Sequence, residues 1–148
     1  MSTPTAFLRN TWYVAAWSHE LAADGMLART ITQVPLLLWR DAAGQVVALD
    51  DRCCHRAAPL SKGRREGDNI RCMYHGLLFD TAGKCIEIPS QDFIPPAAKV
   101  RTYPVVEKFK WVWVWMGDQD KADASLIPDT HVLDDPGWRG TTGYMHYD

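Results

Sequence analysis

Asp51-Arg52-Cys53-Cys54-His55-Arg56 and Arg71-Cys72-Met73-Tyr74-His75-Gly76 are the two stretches that decide how this chain is read. Each offers one thiol and one imidazole, as Cys-x-His, sixteen intervening residues, then Cys-x-x-His. Two such segments form a four-donor metal set. Zinc is the obvious competitor, because two Cys and two His make a standard tetrahedral site. Structural zinc usually takes its first two ligands two to four residues apart, so one intervening residue makes a tight chelate. A dinuclear centre suits the spacing better, since neighbouring ligands can then serve different ions. Cys54 has the wrong spacing to His55 and reads as a free thiol. Cys85 stands apart and reads as a buried apolar filler.

The rest of the composition narrows the class. A chain of 148 residues with 47% hydrophobic residues can build one domain with its own core. Sixteen basic and eighteen acidic side chains leave a formal charge of −2. That balance makes no case for nucleic acid or for an anionic membrane surface. No apolar run is long enough to span a bilayer. Residues 1–10 lack the apolar core of a secretory signal, so a cytoplasmic protein is expected. In a reducing compartment, clustered Cys and His are metal ligands or catalytic groups before they are disulfides.

Around the two motifs the sequence is rich in β-branched and aromatic residues punctuated by turns. Strands are expected at Thr11–Trp17, 27–32, Val34–Arg40, 45–50, 77–79, 84–88 and Trp111–Met116. Asp41-Ala42-Ala43-Gly44 and Asp80-Thr81-Ala82-Gly83 are hairpin turns with glycine in a left-handed position. Four prolines make 89–104 an extended loop crossing the surface, and 107–110 turns the chain into the last strand. That strand alternates Trp111, Trp113 and Trp115 with Val112, Val114 and Met116, so both faces are apolar and buried. Only 18–22 and 121–126 suggest a helical turn, with His19 on the surface. The expected class is all-β, with small antiparallel sheets and two cluster-binding hairpin loops.

A dinuclear iron–sulfur centre with mixed ligands is the Rieske arrangement, in which one iron takes both cysteines and the other both histidines. The surrounding residues closely resemble the N-terminal Rieske domain of Rieske non-haem iron oxygenases, near the vanillate demethylase and toluenesulfonate methyl-monooxygenase group. The resemblance runs from Arg9-Asn10-Thr11-Trp12-Tyr13-Val14-Ala15 through both motifs, Tyr103-Pro104-Val105-Val106-Glu107 and Trp113-Val114-Trp115-Met116-Gly117-Asp118, to Gly143-Tyr144-Met145-His146. It implies a [2Fe–2S] cluster on Cys53, His55, Cys72 and His75, with Arg56, Tyr74, Cys54, Met73 and Gly76 around it. Tyr74 is expected to pack over the cluster, and Arg56 to offset charge or meet a partner. Many members carry Pro where this chain has Cys54 and Met73, and each change restores a backbone N–H near the sulfurs. Respiratory Rieske proteins add a disulfide at positions that hold Ala58 and Tyr74 here. That places the chain on the low-potential branch, near about −150 mV.

The resemblance also implies what the chain does. Residues 1–148 are expected to be one Rieske domain that passes electrons. The non-haem Fe(II) catalytic domain of the parent oxygenase is absent from the chain, and the parent monooxygenates or demethylates an aromatic acid. The alternatives are a stand-alone Rieske-type ferredoxin and a zinc-stabilised interaction module. A reductase carrying flavin and a [2Fe–2S] cluster, or a ferredoxin, would donate the electrons, and the parent would be a homotrimer. His131, His146 and Asp148 form a nominal two-His, one-carboxylate set, but two of them sit at the chain end and are not taken as a triad, so no catalytic residue is assigned.

Overall fold

The last strand of the sheet framework carries an apolar side chain at every position, and the fold uses both of its faces. In the computed structural model, which describes residues 7–143, this strand is β10 (Trp111–Met116). Val112, Val114 and Met116 point into one core with Leu36, Leu38 and Ala48. Trp113 and Trp115 point the other way, onto Trp12 and Ile127. β10 lies between β1 (Thr11–Trp17) and β9 (Val105–Lys108), antiparallel to both. The tryptophan ladder is core, with Trp12 and Trp115 meeting edge to face at 5.3 Å.

A second antiparallel sheet orders β2 (Met26–Ile31), β3 (Val34–Arg40) and β4 (Val46–Asp50). Its central strand β3 is also buried on both faces. Leu36 and Leu38 join the core under β10, while Leu37 and Trp39 enter a separate core with Leu60, Ile70, Phe79 and both motif cysteines. Each such side chain contributes about 1.5–3 kcal/mol when fully buried. Arg40, at the end of β3, ties the two sheets with a two-pronged ion pair to Glu107 on β9, at 2.8 and 2.6 Å.

The third sheet, β5 (Arg64–Glu66), β6 (Asn69–Arg71), β7 (Leu78–Phe79) and β8 (Cys85–Glu87), is made of short strands in sequential order. Its apolar face, Ile70, Phe79 and Cys85, closes over the core that holds the motif cysteines.

Most expected strands stand, with instructive differences. β2 spans Met26–Ile31 rather than 27–32, and a two-residue turn at Thr32-Gln33 (φ 50° and 65°) leads into β3. Neither residue is Gly or Asn, so the primed turn carries no sequence signal. Residues 105–108 form strand β9, and the turn moves to Phe109-Lys110, again with both φ positive. β5 and β6 were not expected, being short and largely polar. The segment 89–104 has no regular strand but is not confined to the surface, since Val100 and Tyr103 are buried. The helical signals become single 3-10 turns at Ser18–Glu20, Gln119–Lys121 and Ala124–Leu126. The Asp41 turn forms as expected, with Gly44 at φ 80° and the Asp41 carboxylate accepting from the Gln45 N–H at 2.8 Å.

Candidate metal centre

The two motifs lie on loops built to one plan. The first follows β4 and the second joins β6 to β7. In the first, the Cys53 N–H donates to the Ala58 carbonyl and the Ala57 N–H donates back to the Cys53 carbonyl, both at 2.9 Å. In the second, the Cys72 N–H donates to the Leu77 carbonyl at 2.8 Å and the Gly76 N–H to the Cys72 carbonyl at 3.2 Å. Each loop thus closes around its cysteine, and the fourth residue after it takes a positive φ, 54° at Ala57 and 76° at Gly76. At Gly76 a side chain is also excluded by space, because a Cβ would lie 2.9 Å from the Pro89 ring. The histidine comes two residues after the cysteine in one loop and three in the other.

This geometry sorts the four donors by type. Cys53 and Cys72 are 4% and 3% exposed and belong to the same buried core cluster. His55 and His75 are exposed, with ring centroids 4.5 Å apart and planes at 64°. The thiols therefore pair inside and the imidazoles pair at the surface. Among the described residues no three His, Cys, Asp or Glu side chains converge on a single ion position. Two pairs of unlike donors suit a centre of two metals.

Burial disfavours a bare thiolate in this core. Burial pushes the Cys53 thiol up to about 12, and the adjacent Cys72 adds to the effect, while the His55 backbone N–H pulls it back. A thiolate at this depth is stabilised by metal, so loading releases protons. The donor set and its burial thus fit an iron–sulfur centre with thiolate ligands inside and imidazole ligands outside.

The neighbours fall into place around the pairs. Tyr74 is exposed and lays its ring against His75, centroids 3.9 Å apart, with Met73 exposed beside it. Cys54 is exposed and forms no disulfide. Cys54, His55, His75, Leu77 and Pro89 line an open cleft of about 540 Å³. Arg56 is exposed on the first loop. Cys85 is fully buried and directs its thiol at the Glu87 carbonyl, 3.4 Å away. His131 is exposed and pairs with Asp129 at 2.9 Å, while His146 and Asp148 lie outside the described residues.

Two supporting groups escaped the sequence reading. Asp51, a buried carboxylate two residues before Cys53, accepts from the Ser61 N–H and hydroxyl, both at 2.6 Å, and so staples the first loop. Arg71, directly before Cys72, is pinned between Glu66 and Glu87 and donates to the Gly76 carbonyl at 2.8 Å. Neither has a motif of its own, since their partners lie on other elements.

Comparison with known proteins agrees with this architecture. The family model described as the Rieske [2Fe-2S] domain matches residues 11–104. The chain belongs to the Rieske [2Fe–2S] domain family. Its cofactor is therefore a [2Fe–2S] cluster, a one-electron carrier. The chain is 53% identical over 141 residues to the toluene-4-sulfonate monooxygenase system iron-sulfur subunit of Comamonas testosteroni, covering 95% of this chain and 41% of that protein. The crystal structure of apo dicamba monooxygenase superposes with a TM-score of 0.84 at 45% identity, covering 90% of this chain and 41% of the other. The reduced complex between oxygenase and ferredoxin in carbazole 1,9a-dioxygenase matches at a TM-score of 0.75 and 29% identity, covering 86% and 34%. The chain thus spans about two fifths of the length of these relatives. Among the described residues no helix is long and apolar enough to cross a membrane.

Proposed function

We propose that this chain is the electron-transfer domain of a terminal oxygenase, with Cys53 and Cys72 holding the inner iron of a [2Fe–2S] cluster and His55 and His75 the outer one. The observation that carries the assignment is the sorting of donors, two thiols buried in one core cluster and two imidazoles paired at the surface. Replacing two thiolates by neutral imidazoles raises the potential above that of an all-cysteine cluster. Exposure of the imidazoles puts the electron's exit at the surface, beside Tyr74 and the Cys54 cleft.

In this reading residues 1–148 are one Rieske domain, and a mononuclear non-haem iron domain of the parent protein performs monooxygenation or demethylation of an aromatic acid. The similarity to a toluene-4-sulfonate monooxygenase subunit and to dicamba monooxygenase supports that substrate class. A flavin and [2Fe–2S] reductase or a ferredoxin delivers electrons, as the oxygenase–ferredoxin complex of a related fold suggests. The parent is a homotrimer, and four free cysteines, one of them exposed, suit the cytoplasm.

Single Ser substitutions of the four cysteines test the ligand set, read by iron, acid-labile sulfide and visible absorbance after anaerobic purification. Wild type, Cys54→Ser and Cys85→Ser should hold two irons and two sulfides per chain; Cys53→Ser and Cys72→Ser should be colourless. One zinc without sulfide in the wild type, or bleaching by Cys54→Ser with colour kept in Cys53→Ser, would overturn the assignment.

A further inference from the structure

Arg71 is among the most heavily bonded side chains in the described structure. Its Nε and Nη2 donate to the two oxygens of Glu66 at 2.6 and 2.7 Å. Its Nη1 and Nη2 donate to those of Glu87 at 2.9 and 3.1 Å. Nη1 also donates to the Gly76 carbonyl at 2.8 Å, and only 14% of the side chain is exposed. One guanidinium thereby joins β5, β8 and the tip of the second loop.

We propose that Arg71 is a positioning residue for His75, fixing the loop backbone beside it through the Gly76 carbonyl. This rests on the ligand assignment proposed above. Gly76 directly follows His75, and its N–H and positive φ already commit it to the bond with the Cys72 carbonyl. The Arg71 bond holds the other side of the same residue, so the residue after His75 is fixed through both its backbone hydrogen-bonding groups. Removing the guanidinium leaves that carbonyl without this donor and sets Glu66 and Glu87 against each other as like charges. Exposed ion pairs contribute little, but here a planar fork serves two carboxylates and a carbonyl together. Lysine cannot reproduce that arrangement, because its ammonium is a single point of charge. The first loop has its own staple, Asp51 with Ser61, which does not involve Arg71 and gives an internal control.

Amide hydrogen exchange on the 148-residue chain, with the EPR spectrum of its reduced cluster, tests this in Arg71→Gln, Arg71→Lys and the milder Glu87→Gln. In Arg71→Gln the Cys72 and Gly76 amides should exchange about tenfold faster or more, the scale of losing a hydrogen bond to a charged group. The Cys53 and Ala57 amides should stay as in wild type, and the EPR g-values should shift. Arg71→Lys should not restore either signal, and Glu87→Gln should move both in the same direction by less. Unchanged exchange at Cys72 and Gly76 in Arg71→Gln and Glu87→Gln would overturn the proposal. So would equal loosening of both loops, which would make Arg71 a general stabiliser. Should Arg71→Gln fail to fold, Glu87→Gln decides alone. A wild type that takes up no cluster would count against the ligand assignment instead, and exchange in the cluster-free chain would still decide the role of Arg71.

Discussion

Gly76 shows how much of the site hangs on a single residue. It takes φ 76° and sits where a Cβ would meet Pro89 at 2.9 Å, whereas Gly44 takes φ 80° with open space around it. Alanine at Gly44 therefore adds only the backbone cost of about 1 kcal/mol. Alanine at Gly76 adds a collision with a proline ring that walls the His75 cleft. We expect Gly76→Ala to lower stability by about 2 kcal/mol or more, and to lose cluster far faster than Gly44→Ala. Urea midpoints and the decay of visible absorbance measure both; equal effects of the two substitutions would contradict this. The four ligand candidates were legible because their chemistry is in the side chain and their spacing in the motif. So was the burial of Cys85. The demand for space at Gly76 was not, because Pro89 arrives from another part of the chain.

Strands were legible where their pattern was apolar. β1, β3 and β10 have the expected bounds because each is a largely unbroken apolar run cut off by turn residues. β5 and β6 are short and largely polar; apart from the buried Ile70, their side chains meet through ion pairs, chiefly Glu66 with Arg71. Hydrogen bonds from Arg71, then Arg64, hold the Glu66 carboxyl down at about 2. An acid with a depressed folded value stabilises above its unfolded value of about 4.3 and loses that contribution as pH falls toward 2. Wild type should therefore exceed Glu66→Gln in stability by a constant margin from pH 7 to about 5, and the margin should shrink toward pH 2. Urea titrations across that range check it, and a margin independent of pH would show that the ion pair does not stabilise the fold.

At the scale of the molecule, two of the three sheets are built on a central strand buried on both faces, β3 and β10. β3 sends Leu36 and Leu38 to one core and Leu37 and Trp39 to the core that backs both motif cysteines. The two motif cysteines are thus attached directly to the hydrophobic interior, while His55 and His75 face out. The all-β class could be read from the sequence, because short apolar runs and turn signals set it locally. The division into three sheets could not, since pairing depends on contacts between distant strands. Pulsed EPR of the reduced chain, labelled with ¹⁵N in histidine, tests the central claim most directly. Two distinct imidazole nitrogens coupled to a [2Fe–2S] spin are expected, one from His55 and one from His75. A [2Fe–2S] signal without histidine coupling, or no such signal in a chain that binds zinc, would contradict it.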